Sequence, residues 1–294
     1  MNRNEEVNFK DSLSENITHS SNEDSLLFGL ETPYRNKNLT EFIEELNSNY
    51  SKLKLSFINL KNKITNIVKS KDIDNLHLLL TQIKTQYPAI NISDFTIEGL
   101  SLLHYAAFHN QIEMMDILID LGIFVDLKNN DYIDEENIIT QAATPLIFAI
   151  KGGAEEAVKK LISKGADINA RYNSLSKTSR TLSLTPLHTA AYRGNLNIVK
   201  ALLDEGIEIN SLTKEGYTPL HAAAWSGNKN IVKYLLSKGA IIFIKNNAGF
   251  TASEVALSKG NTEIVKIFDN CHRMQAIKYL SPICLCVLAV VIFF

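Results

Sequence analysis

Between residues 99 and 270, apolar positions come in pairs of short clusters, each pair closed by glycine and polar residues. The clearest pair lies between Thr185 and Tyr217. Leu187, Ala190 and Ala191 share one face of a first helix, and Ile198, Val199, Leu202 and Leu203 keep helical spacing along a second. Thr185 is suited to cap the first helix, and Pro186 fits its first turn because no helical hydrogen bond is lost there. The two alanines predict a close approach between helices. Gly194-Asn195 turns the chain, Gly206 suits a left-handed helix end, Ile209 anchors an extended return, and Gly216 permits a tight turn before the next pair.

The same positions recur as Leu220, Ala223, Ala224, Ile231, Val232, Leu235, Leu236 and Gly239. Upstream they recur as Leu103, Ala106, Ala107, Met114, Met115, Leu118, Ile119 and Gly122, then as Leu146, Ala149, Val158, Leu161, Ile162 and Gly165. A last copy keeps Ala256, Ile264, Val265 and Phe268 but lacks the final glycine. Ile64, Ile67, Val68, Leu76, Leu79 and Leu80 fit the register as a degenerate N-terminal cap, preceded by helical spacing of Phe42, Ile43, Leu46, Tyr50 and Leu53. The fixed period predicts stacked units, each burying its apolar face only against its neighbours.

Thr185-Pro186-Leu187-His188 and Thr218-Pro219-Leu220-His221 stand 33 residues apart, with Thr251-Ala252-Ser253-Glu254 as a weaker third copy. Motif and period together resemble the ankyrin repeat. The resemblance covers about residues 61–270 and implies an all-α solenoid of stacked helix pairs with hairpin-like loops, to which the tail adds a C-terminal hydrophobic helix. It further implies that His104, His188 and His221 bond neighbouring repeat turns. It also implies that the hairpin tips and first helices form a concave side for a protein partner. By register that side carries Phe108, His109, Lys151, Tyr192, Arg193, Trp225 and Ser226, with Tyr217 and Phe250 just before the helices. Trp, Tyr and Arg are enriched at the energetic centres of interfaces; the plainer alternative is that these rings pack along their own repeats.

Two loops exceed the repeat length. Asn129 to Gln141 is acidic through Asp131, Asp134, Glu135 and Glu136; Tyr172 to Leu184 carries Lys177, Arg180 and four serines. Such insertions fall on loops, often on the binding side, or are tolerated surface elaboration. With 30 basic and 32 acidic residues the formal net charge is −2, which offers no field for nucleic acid. No phosphate loop, nucleophile elbow or zinc-protease motif occurs, and Cys284-Leu285-Cys286 has no second ligand pair. No catalysis, cofactor, metal or small-molecule substrate is expected. All three cysteines lie near the C-terminus, so no disulfide framework supports the repeats.

The remaining signal is the tail. Ile283, Leu285, Val287, Leu288, Val290, Val291, Ile292, Phe293 and Phe294 belong to an uninterrupted apolar run over residues 283–294. Extended back to Tyr279, it makes a helix of about 24 Å, short of a hydrocarbon core of about 30 Å. Arg273 and Lys278 flank it on the N-terminal side, as a cytosolic flank requires. The expected organisation is a disordered lead (1–37), a helical cap (38–98), repeats (99–270) and a hydrophobic tail (279–294). The function expected is a non-enzymatic scaffold or adaptor, membrane-tethered through the tail with its repeats facing the cytosol. Two alternatives stay open: an accessory subunit of a membrane transport or enzyme complex, and a soluble inhibitor with its tail packed internally. Export into a host cell is a further possibility raised by the resemblance.

Overall fold

The computed structural model describes residues 58–87, 90–134, 138–175 and 181–279. The chain divides into two compact units, Met1–Lys63 and Ile64–Phe294. In the first, residues 58–63 are helical; the expected lead over 1–37 and most of the helix expected over 38–60 lie outside the described residues.

The second unit begins with helical residues 64–70, followed by α1 (Ile73–Gln86). Ile64, Val68, Leu76 and Leu80, four of the expected cap positions, are buried. A one-turn 3₁₀ helix (Ile92–Asp94) and a two-stranded hairpin of β1 (Thr96–Ile97) and β2 (Leu100–Ser101) lead into the repeats. The first four helix pairs are α2 (Leu102–Phe108) with α3 (Ile112–Asp120), α4 (Pro145–Gly152) with α5 (Glu155–Ser163), α6 (Pro186–Arg193) with α7 (Leu196–Asp204), and α8 (Pro219–Ser226) with α9 (Lys229–Ser237). The fifth is α10 (Ala252–Ser258) with α11 (Thr262–Tyr279).

First helices stack directly on one another: α2 on α4, α4 on α6, α6 on α8 and α8 on α10. This requires small residues at the contact, and Ala106, Ala107, Ala149, Ala190, Ala191, Ala223 and Ala224 are all fully buried. The closest approach is at Gly152, where an added Cβ would collide with the Phe108 carbonyl. Leu202, Leu235, Val199 and Val232 fill the space between first and second helices and are also fully buried.

Side chains from the next repeat lock the turn within two of the pairs. Asn228 Nδ2 donates to the Ala191 and Tyr192 carbonyls at 2.9 and 3.0 Å, and Asn261 Nδ2 donates to Ala224 and Trp225 at 2.8 and 3.3 Å. These carbonyls end α6 and α8, where no intrahelical donor remains. Gly194, at φ +87°, both closes α6 in the left-handed region and leaves room for Asn228, whose Oδ1 would lie 2.8 Å from an added Cβ.

The fold departs from the all-α expectation. The two long loops form strands: β3 (Tyr132–Ile133) and β4 (Ile139–Gln141) in the first, β5 (Tyr172–Leu175) and β6 (Thr181–Leu184) in the second. They join in one four-stranded antiparallel sheet of order β3-β4-β5-β6, with Thr140 opposite Ser174 and Tyr172 opposite Leu184. A lone hairpin would leave its backbone edges unpaired and is marginal in water, whereas insertions in adjacent repeats lie close enough to pair. Asn129 fastens the first hairpin at its base, donating to the Thr140 carbonyl at 3.0 Å and accepting from the Ala143 amide at 2.7 Å.

The expected apolar segment over 283–294 lies outside the described residues. Among the described residues no helix is long and apolar enough to cross a membrane.

Candidate functional site

Three histidines set the spacing from which the site is built. His188 and His221 sit at the third position of α6 and α8, where each forms a reciprocal cap with Thr185 or Thr218. Nε2 of His188 donates to the Tyr217 carbonyl at 3.0 Å, and that of His221 donates to the Phe250 carbonyl at 3.1 Å. His104 does the same to Ala143 at 3.0 Å, while its Nδ1 lies 2.7 Å from Ser101 Oγ. Each ring is therefore neutral with its proton on Nε2, and it fixes the start of the following repeat. Burial pushes His104 and His188 down to about 4, against the opposing pull of those backbone hydrogen bonds; His221 moves in the same direction for the same reason. The histidines are structural, as the resemblance implied.

Through these bonds Tyr217 is held at the entrance to α8, while Tyr192 and Trp225 project from the last turns of α6 and α8. Tyr192 is 49% exposed and Trp225 43%. The sheet faces them. Tyr172, Ser174, Leu182 and Leu184, on one face of β5 and β6, enclose with the first helices a cavity of about 770 Å³. The sheet is anchored by Tyr172. It is buried, and its hydroxyl lies 2.9 Å from Thr189 Oγ1. Thr189 spends its own proton on the Thr185 carbonyl at 3.3 Å, so the phenol donates. Burial raises the Tyr172 phenol to about 12, which keeps that donor protonated. Arg171 adds a second tie, with Nη1 donating to the Leu212 carbonyl at 2.9 Å.

Five of the nine expected partner-binding residues line this cavity: Lys151, Tyr192, Arg193, Tyr217 and Trp225. Their states differ. The Lys151 side chain is only 7% exposed; it donates to Thr140 Oγ1 at 2.6 Å and lies 3.6 Å from Asp134, so it braces the sheet against α4. Arg193 is exposed and has no hydrogen-bond or ion-pair partner among the described residues. The Trp225 ring carries the Lys259 ammonium 3.4 Å from its centroid, a cation–π contact.

The other four expected residues lie elsewhere. Phe108 and His109 meet edge to face, with ring centroids 5.0 Å apart, at the end of α2. Ser226 bonds inward to the Ala222 carbonyl at 2.9 Å and accepts from Asn228 at 2.6 Å. Phe250 is exposed but does not border the cavity. Conversely, Tyr172, Leu182, Leu184, Glu215 and Asn246 line it without having been singled out as partner-binding residues. The two-residue alternation of Thr181-Leu-Ser-Leu was the available signal for Leu182 and Leu184. Among the described residues no group of His, Cys, Asp or Glu is arranged to hold a metal ion.

A family model that describes ankyrin repeats three copies at a time matches residues 64–172 and again 173–246. A putative ankyrin repeat protein of fowlpox virus, FPV223, is 33% identical over 127 residues, 43% of this chain and 75% of the viral one. The transient receptor potential cation channel subfamily A member 1 homolog of Caenorhabditis elegans is 32% identical over 118 residues, 40% of this chain and 8% of the channel. The E3 ubiquitin-protein ligase KEG of Arabidopsis thaliana is 28% identical over 119 residues, 40% of this chain and 6% of the ligase. The chain thus spans less than a tenth of the channel and of the ligase.

Proposed function

The chain belongs to the ankyrin-repeat family, and we propose that it is a non-catalytic protein-interaction module that holds a segment of a protein partner between its strand canopy and its first helices. Ankyrin repeats imply protein–protein interaction. The observation that carries the finer reading is the cavity, in which Tyr192, Tyr217 and Trp225 stand partly exposed around about 770 Å³ of space. Cavities of this size take small molecules or a few residues of a peptide. The aromatics bring large contact area with few torsions to freeze, and the next repeat already holds the backbone of two of them.

Trp225→Ala and Tyr192→Ala should each weaken partner capture by roughly thirty-fold, the equivalent of about 2 kcal/mol at an interface centre. Helical signal and melting should stay unchanged. Lys200→Ala, on the exposed side of α7, should leave capture intact. If Lys200→Ala weakens capture while the aromatic variants do not, the partner binds the other side of the repeats.

Membrane attachment through the tail is a second part of the proposal, supported by the twelve apolar residues at 283–294. Removal of such a run from water is favourable at about 25 cal/mol per Å², and a helix too short to span can thin the bilayer or associate with others. Deleting residues 280–294 should move the protein from the membrane to the soluble fraction with its repeats still folded. Full-length chain that is soluble and monomeric without detergent contradicts the attachment.

A further inference from the structure

We propose that the corner of the cavity formed by Glu215 and Asn246 is its specificity subsite, and that it takes a basic side chain on an extended segment of the partner. The inference rests on the reading of the cavity as the partner site. Two consecutive hairpin tips build the corner. Asn247 ties them, its amide donating to the Glu215 carbonyl and its side-chain Nδ2 to the Lys214 carbonyl, both at 2.9 Å. Gly216, at φ +78°, lets the tips approach: an added Cβ would lie 3.1 Å from Asn246 Cα.

Two polar atoms at this corner are buried without a hydrogen-bond partner, Glu215 Oε2 and Asn246 Nδ2. Asn246 is only 4% exposed. Its Oδ1 is fully used, accepting from the Ala248 amide at 3.0 Å and the Phe250 amide at 2.9 Å, so the loop fixes the side chain and leaves its donor over. Buried polar atoms in native proteins nearly always have partners, and an exception asks for an explanation. Here both atoms belong to residues that line the same cavity.

The two vacancies are complementary. Glu215 needs a donor and brings negative charge; Asn246 needs an acceptor. A peptide segment supplies both at once, a basic side chain to the carboxylate and a main-chain carbonyl to the amide. An acidic side chain would be repelled by Glu215, and an apolar one would leave its carboxylate unpaired. No cation among the described residues takes the place. Among the described residues Glu215 has no ion-pair partner, and Lys151, which also lines the cavity, is held by Thr140 and Asp134. The walls suit a cation as well. Tyr217 lines the cavity two residues from Glu215, and the Trp225 ring already carries the Lys259 ammonium on one face. A guanidinium fits best, since its planar fork bonds a carboxylate and stacks on aromatic rings.

The test is selection from a random displayed peptide pool on the full-length chain, followed by a double-mutant cycle. Selected peptides should share a basic residue at one position, and Trp225→Ala should abolish their enrichment. Replacing that residue with Gln, or Glu215 with Gln in the protein, should each cost roughly ten-fold in affinity. The two together should cost no more than either alone, because they remove one contact. The peptide change leaves the protein untouched, so its result does not depend on how the Glu215→Gln variant folds. Peptides that depend on Trp225 but carry no basic residue, or losses that multiply, overturn this inference and leave the cavity as the partner site. A pool that yields no peptide dependent on Trp225 overturns both.

Discussion

Lowering the pH from 7.5 to 5 should weaken the repeat stack by on the order of 4 kcal/mol through His104 and His188 alone. Both rings are held near 4 in the fold, against an ordinary value of 6.5. A histidine depressed in this way contributes its full stability above 6.5. The contribution falls as the unfolded chain takes up protons that the folded chain refuses, and is spent once the pH passes below about 4. Each pH unit inside that window is worth about 1.36 kcal/mol for each ring. The chemistry behind the refusal is specific. Nδ1 of His188 accepts from the Thr185 hydroxyl at 2.8 Å, and protonation would turn that acceptor into a donor in a buried place. Glu156, Glu254 and Glu263 are held below the ordinary carboxylate value of 4.5 by their hydrogen bonds, so their losses set in only at the lower end of the histidine window and continue below it. Urea unfolding followed by circular dichroism across this range checks the sign and size. In His188→Gln, stability at pH 7.5 should fall while about half of the pH dependence that His104 and His188 contribute disappears. Parallel curves for the two proteins contradict the assignment.

Leu202→Ala should cost about 2–5 kcal/mol, a large part of the stability of a domain this size. Leu202 is fully buried on α7, a helix that packs against α6 of its own repeat and against α5 and α9 of the repeats on either side. Each repeat touches only its neighbours, so a hole here loosens two interfaces together. Leu257, 61% exposed on α10, provides the contrast: its replacement by Ala should change stability by no more than about 0.5 kcal/mol. A midpoint for Leu202→Ala indistinguishable from that of the parent contradicts this packing.

Much of this stack was legible in the sequence because its physics is local and repeated. Leu187, Ala190 and Ala191, then Ile198, Val199 and Leu202, occupy the expected faces, since 3.6-residue spacing and the 33-residue period fix them without distant information. Lys151 shows where that reading stops. Register places it on the partner side, yet its ammonium is taken up by Thr140 and Asp134 from an insertion whose path the period does not describe. The strands were missed for the same reason. Two loops read one at a time are only insertions; the sheet arises because they are adjacent in space and pair β4 with β5. Asn228 and Asn261 follow the helix turns in plain sight, but their role depends on the preceding repeat's carbonyls, 36 and 37 residues earlier.

Trp225 is the only tryptophan of the chain and stands at the cavity. Its fluorescence therefore tests most directly whether a partner segment enters between the strand canopy and the first helices. On titration with a captured partner, its emission should move to shorter wavelength and its quenching by acrylamide should fall, saturating together with binding. Tyr192→Ala should shift both changes to roughly thirty-fold higher partner concentration. A partner that binds with unchanged affinity while Trp225 emission and quenching stay as in the free protein would show that the cavity is not where the partner is held.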